Sequence, residues 1–182
     1  MFLTIFRNEI YHWLRQPYVY LFGGLLFVIS LATMWGMAAE ATGGPDAEML
    51  NSYFRINFMS NYLSLLILFV LPATLGAAVY RDFKSEMYTL LYAYPITKPA
   101  YLAAKFLAAY LVTAAVVLMI GLGFMLGTQM PGVNQEVLLP FALGAYTQLF
   151  AVYILPNMLL FGVLVFAIVT LTRNVYAGFV TI

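Results

Sequence analysis

Four long apolar runs constrain the fold of this 182-residue sequence more than any other feature. We place them at 18–38, 59–80, 99–128 and 141–171. About 20 apolar residues in a helix cross a hydrocarbon core of about 30 Å. Because backbone polar groups in lipid must be satisfied within their own segment, runs without strand-like alternation indicate helices rather than barrel strands. The sequence therefore predicts an all-α, polytopic transmembrane helical bundle, a single domain over residues 1–182.

The composition excludes several classes of function. Hydrophobic residues make up 64% of the chain and charged residues 8%, against roughly 25% charged in soluble domains. The net charge of +1 provides no basic field for nucleic acid. With no cysteine and a single histidine, disulfide frameworks, Cys/His zinc sites and Ser-His-Asp triads lack their parts, and no P-loop or H-E-x-x-H motif occurs. We expect no catalytic site, no metal site and no nucleic-acid partner.

The positions of the cations predict the orientation. If the spans alternate, one side of the membrane receives Arg7, Arg15, Arg81, Lys84, Lys98, Lys105 and Arg173, and the other receives only Arg55. The positive-inside rule then places the N-terminus in the cytoplasm and the loops Ala39–Phe58 and Gln129–Pro140 outside. We expect Lys105, about a turn into the third span, to extend its ammonium to the cytoplasmic interface.

The two ends of the sequence raise the questions of a signal peptide and of further spans. A cleaved signal peptide is an alternative for the first run, since Ala39-Glu40-Ala41 resembles a cleavage site, but the run is longer than an ordinary signal core. A fifth apolar run, 175–182, starts just before the sequence stops. We therefore expect an N-terminal fragment of a protein with more spans.

Two segments outside the spans are amphipathic. Residues 2–16 repeat Phe2, Phe6, Ile10 and Trp13 at steps of four, four and three, which predicts a helix at the membrane interface that ends before Pro17. Residues 81–94 carry an apolar stripe of Phe83, Met87, Leu90, Leu91 and Tyr94 beside a polar face. This second segment predicts a helix along the cytoplasmic surface, either a solvated connector or a docking element for a partner.

Inside the spans, a few residues depart from the apolar pattern. Pro72 and Pro156 each remove a backbone donor, so we expect kinks or hinges there. Gln148 and Asn157 are candidates to line a polar path, but hydrogen bonds between helices are the commoner use of such residues. The G-x-x-x-G pair Gly123 and Gly127 indicates close helix packing, within the bundle or in a dimer.

The order of these features carries a resemblance to a family. An amphipathic helix ending in Arg-Gln-Pro, a span and an outer loop are followed by GAAVYRDFK at 76–84, YPITK at 94–98 and YLAAKF at 101–106. PGVN at 131–134, LPN at 155–157 and FAIVTLTRN at 166–174 come later. With these motifs the chain resembles an ABC transporter permease of the type-2 exporter class. It is most similar to bacterial, Bacteroidetes-like permeases fused to a zinc aminopeptidase-like domain.

The resemblance implies a permease subunit of an ATP-driven exporter in a bacterial inner membrane. Its implied partners are separate ABC ATPase subunits, which hold the ATP and Mg²⁺, and a second permease half in a homo- or heterodimer. The segment 81–94 matches the position of the coupling helix that the ATPase pushes on. In that role, the residues facing the ATPase would be Arg81, Asp82, Lys84, Glu86 and Thr89.

Two other functions remain open at this stage. The four spans could anchor or assemble a catalytic domain absent from this chain, such as the peptidase. An intramembrane enzyme is the third alternative, but the spans show no constellation of acid, base and nucleophile. The polar face of 81–94 distinguishes a permease from an anchor, because an ATPase-coupled permease requires that face and an anchor does not.

Overall fold

The computed structural model describes residues 2–41, 49–85 and 97–181. The described part is helical apart from loops and one isolated bridge, which confirms the predicted all-α, polytopic fold. We number the α-helices in chain order: α1 Phe2–Leu14, α2 Pro17–Glu40, α3 Tyr53–Leu71, α4 Ala77–Lys84, α5 Lys98–Gly127, α6 Leu143–Gln148, α7 Leu155–Thr172 and α8 Val175–Val180. A π-helical segment, Pro72–Gly76, joins α3 to α4, and another, Leu149–Ile154, joins α6 to α7.

Four helices are long and apolar enough to cross a membrane: Pro17–Glu40, Tyr53–Lys84, Lys98–Gly127 and Leu143–Thr172. The second of them differs from the sequence-based boundary, because the helix continues past Tyr80 to Lys84. Residues 81–84 are thus the last turn of a span rather than the first turn of a separate helix. Residues 86–94 of the predicted amphipathic helix lie outside the described residues.

The chain divides into two compact units, which we describe separately. The first, here the cationic unit, comprises Met1–Val19, Ile67–Ala115 and Asn157–Ile182, and it contains seven of the eight Lys and Arg residues. Its core includes Trp13, Leu71, Leu75, Ala108 and Val169, all nearly or fully buried.

Close contacts between α-helices and the π segment occur within the cationic unit. A Cβ added to Gly162 of α7 would lie 2.7 Å from Leu75 Cδ1, so the absence of a side chain there makes room for the Leu75 side chain. The rings of Phe106 and Phe166 meet edge to face with centroids 5.2 Å apart. The three parts of the unit, far apart in sequence, are therefore packed as one core.

The second unit, here the loop unit, comprises Tyr20–Leu66 and Val116–Pro156. Its helices α2 and α5 pack through the predicted glycine pair. A Cβ on Gly123 would lie 2.6 Å from the Phe27 carbonyl oxygen, and one on Gly127 would lie 2.9 Å from that of Leu31. The G-x-x-x-G spacing thus brings two helices of the same chain together.

The two predicted outer loops are joined to each other within the loop unit. Leu50 N donates to Val137 O at 2.8 Å, and Leu139 N donates to Leu50 O at 3.0 Å. Asn51, which has a left-handed φ of 67°, accepts a 2.6 Å hydrogen bond from the Tyr146 hydroxyl. These bonds satisfy backbone and amide groups that would otherwise be buried without partners.

Candidate functional site

Four ionisable side chains meet in the cationic unit, and we call Glu9, Arg81, Asp82 and Lys105 the charge cluster. Arg81 Nη2 lies 2.7 and 2.8 Å from the two Glu9 carboxylate oxygens. Lys105 Nζ lies 2.6 Å from Glu9 Oε1 and 2.7 Å from Asp82 Oδ2. Two carboxylates and two cations leave the cluster with no net charge.

Lys105 is the most deeply buried member of the charge cluster. Its side chain is 3% exposed, and its ammonium also donates to the Ala78 carbonyl oxygen at 3.0 Å. An ammonium has three N–H donors, and Glu9, Asp82 and Ala78 provide one acceptor for each. These acceptors hold the ammonium inside the protein, and its position at the cytoplasmic interface stays a prediction.

Glu9 is the acid at the centre of the charge cluster, with a side chain that is 7% exposed. Burial alone would raise the pKa of this carboxyl, but the charges and hydrogen bonds of Lys105 and Arg81 outweigh it and lower the pKa below its ordinary value. Glu9 is therefore ionised at neutral pH in a site that excludes most water.

Helix geometry explains why these residues meet. On α1, Glu9 lies on the same face as Phe2, Phe6 and Trp13, and this face is turned inward, with Trp13 1% exposed. The apolar stripe predicted to lie on the membrane interface thus packs on protein, at least at Trp13. Arg7 and Tyr11 occupy the exposed face of α1.

Side-chain contacts also join α4 to α5, the helices before and after residues 86–96. The Tyr101 hydroxyl donates to Asp82 Oδ2, and Tyr101 and Lys105 are four residues apart on the same face of α5. Asp82 precedes the segment 86–96 and Tyr101 follows it. The end of α4 and the start of α5 are therefore joined by side chains.

The residues predicted to face an ATPase differ in side-chain exposure and in their contacts. Asp82 is 13% exposed in its side chain and Arg81 is 34% exposed, and both direct their charges to the charge cluster. Lys84 is exposed at the end of α4. Glu86 and Thr89 lie outside the described residues.

Both predicted hinge prolines adjoin a π-helical segment. Pro72 is the first residue of Pro72–Gly76, where the Ala77 amide donates to the Pro72 carbonyl five residues back. Pro156 follows Leu149–Ile154, where the Leu155 amide donates to the Phe150 carbonyl, again five residues back. A π turn accommodates the missing proline donor, and such turns are frequent at functional sites.

The two predicted path residues do not share one environment. Gln148, at the end of α6, is half-buried and belongs to the loop unit. Asn157, near the start of α7, is exposed and belongs to the cationic unit. That they line a common path stays a prediction.

Sequence reasoning missed Glu9 and Tyr101 as site residues. The signal for Glu9 was present, because it is an acid within the apolar stripe of α1, and such an acid requires a cation opposite it. Lys105, a lone cation inside an apolar span, is the matching signal. Nothing in the sequence marks Tyr101 apart from its spacing of four from Lys105.

The chain is similar to a known protein family. The model of the ABC-2 family transporter proteins matches residues 5–181, nearly the whole chain. The chain belongs to the ABC-2 transporter family. Its identity as a multi-pass membrane component of a transporter follows from that membership together with the four apolar helices. No curated protein and no solved structure matches the chain.

Proposed function

We propose that this chain is the transmembrane permease subunit of an ATP-driven exporter. ATP and Mg²⁺ are bound by separate ABC ATPase subunits, and a second permease half completes the pathway. The observation that carries the proposal is the match to the ABC-2 family over residues 5–181. The charge cluster supports it, since it joins α4 to α5, the helices before and after the residues proposed to bind the ATPase.

The orientation proposed for the chain rests on charge. Seven of the eight Lys and Arg residues lie in the cationic unit, and the loop unit contains only Arg55. Under the positive-inside rule this distribution favours a cytoplasmic N-terminus and a cytoplasmic segment 86–96 in a bacterial inner membrane. An ATPase in the cytoplasm could reach that segment.

We propose that the ATPase docks on Lys84 and on the residues that follow, Glu86 and Thr89. Lys84 is exposed and available to a partner. Arg81 and Asp82 act one turn earlier and from inside, because their charges are already matched by Glu9 and Lys105. Pro72 and Pro156, next to their π segments, are the proposed hinges of the transport cycle, and Gln148 and Asn157 are proposed to line the pathway.

Charge reversal of Lys84 tests the docking assignment. The full-length protein is purified from its native membrane in mild detergent, and the co-purifying P-loop ATPase is quantified by mass spectrometry. We expect Lys84→Glu to reduce the bound ATPase at least tenfold, whereas Arg7→Glu, an equal charge change on the exposed face of α1, retains it. Equal retention by both variants would refute the docking site.

A further inference from the structure

We propose that Thr113 is a positioning residue for α4, acting through Thr74 and the π segment Pro72–Gly76. The π segment sets the register of α4, so that Asp82 faces the charge cluster and Lys84 faces outward. The inference rests on the proposed function, because Lys84 is the residue proposed to bind the ATPase. It extends that function to two hydroxyl groups in the core of the cationic unit.

The Thr74 and Thr113 hydroxyls meet inside the cationic unit. Thr113, on α5, is fully buried, and Thr74 is 1% exposed. The Thr113 hydroxyl donates to the Thr74 hydroxyl oxygen at 2.8 Å, and the Thr74 hydroxyl donates to the Val70 carbonyl oxygen at 2.9 Å. A buried hydroxyl without a partner is unfavourable, so the pair stabilises the backbone conformation that brings the two together. This hydrogen bond connects the π segment to α5.

The π segment is also packed against α7 and α8. A Cβ added to Gly76 would lie 3.2 Å from Val169 Cγ2 of α7. A Cβ added to Gly178 of α8 would lie 2.9 Å from the same Val169 atom and 3.6 Å from Pro72 Cβ. Because its neighbours approach this closely on two further sides, the segment has little space in which to change its path.

A π segment changes the direction of every side chain that follows it. Its hydrogen bonds span five residues instead of four, as in the bond from the Ala77 amide to the Pro72 carbonyl oxygen. The turn therefore contains one residue more than an α turn, and one residue corresponds to about 100° of rotation and about 1.5 Å of rise. In an uninterrupted α-helix, each residue of α4 would lie at about the angle that the next residue occupies here.

The register is important because α4 carries unlike residues side by side. Without the π segment, Asp82 would take the place of Phe83. Arg81 would take the place of Asp82, beside Lys105. Two cations would then face each other in a largely buried site, which is unfavourable. Phe83 would take the exposed place of Lys84. The described register thus pairs opposite charges inside the unit and leaves Lys84 outside.

Cysteine labelling tests the register, because the sequence contains no cysteine. Phe83→Cys is introduced into the full-length protein, and its rate of reaction with a water-soluble maleimide is measured in nanodiscs. Position 83 is half-buried here and takes the exposed place of Lys84 if the register changes. Thr113→Val removes the hydroxyl at nearly constant volume, and Thr113→Ser keeps it. Thr170→Val is the matched control, since the Thr170 hydroxyl donates within its own helix, to the Phe166 carbonyl oxygen at 2.6 Å.

We expect Thr113→Val to raise the labelling rate of Phe83→Cys roughly fivefold, the change in population that follows from the loss of one typical hydrogen bond. Thr113→Ser and Thr170→Val should leave the rate unchanged. Deletion of Ala73 in the Thr113→Val background should restore the slow rate, because a segment one residue shorter reaches the described register as a regular α-helix. General destabilisation of the protein would not be reversed by a deletion.

Deletion of Ala73 with Thr113 intact keeps the inference testable if Thr113→Val folds poorly. Slow labelling of Phe83→Cys in that protein supports the register argument, and fast labelling overturns it. The inference is also overturned if Thr113→Val leaves the labelling rate unchanged, or if the rate stays fast in Thr113→Val after the deletion.

The ATPase that accompanies the same variants without the cysteine connects the register to function. We expect Thr113→Val to retain less ATPase than Thr113→Ser, as measured by quantitative mass spectrometry. If the labelling follows the expectation but Thr113→Val retains all of its ATPase, the positioning role of Thr113 fails and the proposed function stands. If the wild-type protein carries no ATPase, the proposed function fails, whatever the labelling shows about the register of α4.

Discussion

The two units of this chain are held together by different kinds of interaction. The cationic unit buries paired charges, with Lys105 and Glu9 both under 10% exposed in their side chains. The loop unit instead brings backbones together at Gly123 and Gly127 and joins its loops by hydrogen bonds. Close apolar packing is sufficient to hold helices in place. Burying the charge cluster costs desolvation free energy. In return, its ion pairs favour one arrangement of α1, α4 and α5.

The largest expected effect comes from removing the central cation of the cationic unit. Lys105→Met leaves Asp82 without its closest cation and leaves Glu9 with Arg81 alone, so we expect a loss of about 3–5 kcal/mol of stability. Thermal unfolding of the detergent-solubilised protein measures the loss. Lys84→Met, at the exposed end of α4, is the control and should change stability little. Equal melting of both variants would show that the cluster contributes nothing.

The second prediction perturbs the loop unit. Gly123→Ala places a Cβ 2.6 Å from the Phe27 carbonyl oxygen and 2.9 Å from Leu31 N, atoms of a neighbouring helix backbone, so we expect a loss of about 1–3 kcal/mol. Gly24→Ala is the matched control, because nothing lies within 4 Å of its added Cβ. Thermal unfolding compares them, and an unperturbed Gly123→Ala would exclude close packing of α2 on α5.

The third prediction tests the hydrogen bond between Tyr101 of α5 and Asp82 of α4. Tyr101→Phe removes the hydroxyl that donates to Asp82 while leaving the ring beside Lys105, so we expect a loss of about 1 kcal/mol. Tyr176→Phe, at an exposed position of α8, serves as the control. A Tyr101→Phe protein as stable as the wild type would remove Tyr101 from the cluster.

The smallest effect concerns pH. Lys105 and Arg81 lower the pKa of Glu9 below its ordinary value of 4.5, so its contribution to stability is complete above that value. The contribution is lost as the pH falls through the lowered pKa, and between pH 7 and pH 5 we expect no change from this group. Melting temperatures recorded down to pH 3 in wild type and Glu9→Gln test this. The same acid dependence in both proteins would exclude Glu9 as the titrating group.

Much of the fold follows from the sequence because apolar length and periodicity are local properties. The four spans and the Gly123/Gly127 contact require only neighbouring residues to be recognised. The charge cluster was not predicted, because it depends on which helices meet. Lys105, viewed within its own span, is expected to reach the cytoplasmic interface, and only Glu9 and Asp82 on other helices show what its ammonium binds.

The candidate site shows the same limit. Arg81 and Asp82 looked like parts of a polar outer face when 81–94 was considered as an isolated helix. In the structure the span continues to Lys84, which turns Asp82 toward Tyr101 and Lys105. Pairing an acid in an apolar stripe with a lone cation in a span is a rule that could have found the cluster from sequence.

The central claim is that this chain is an ATPase-coupled permease. The most direct measurement is the stoichiometry of P-loop ATPase that accompanies the full-length wild-type protein from its native membrane, determined by quantitative mass spectrometry. We predict an ATPase in near-stoichiometric amount with the permease chain. A folded protein that arrives without any ATPase would contradict the claim and favour a membrane anchor for another domain.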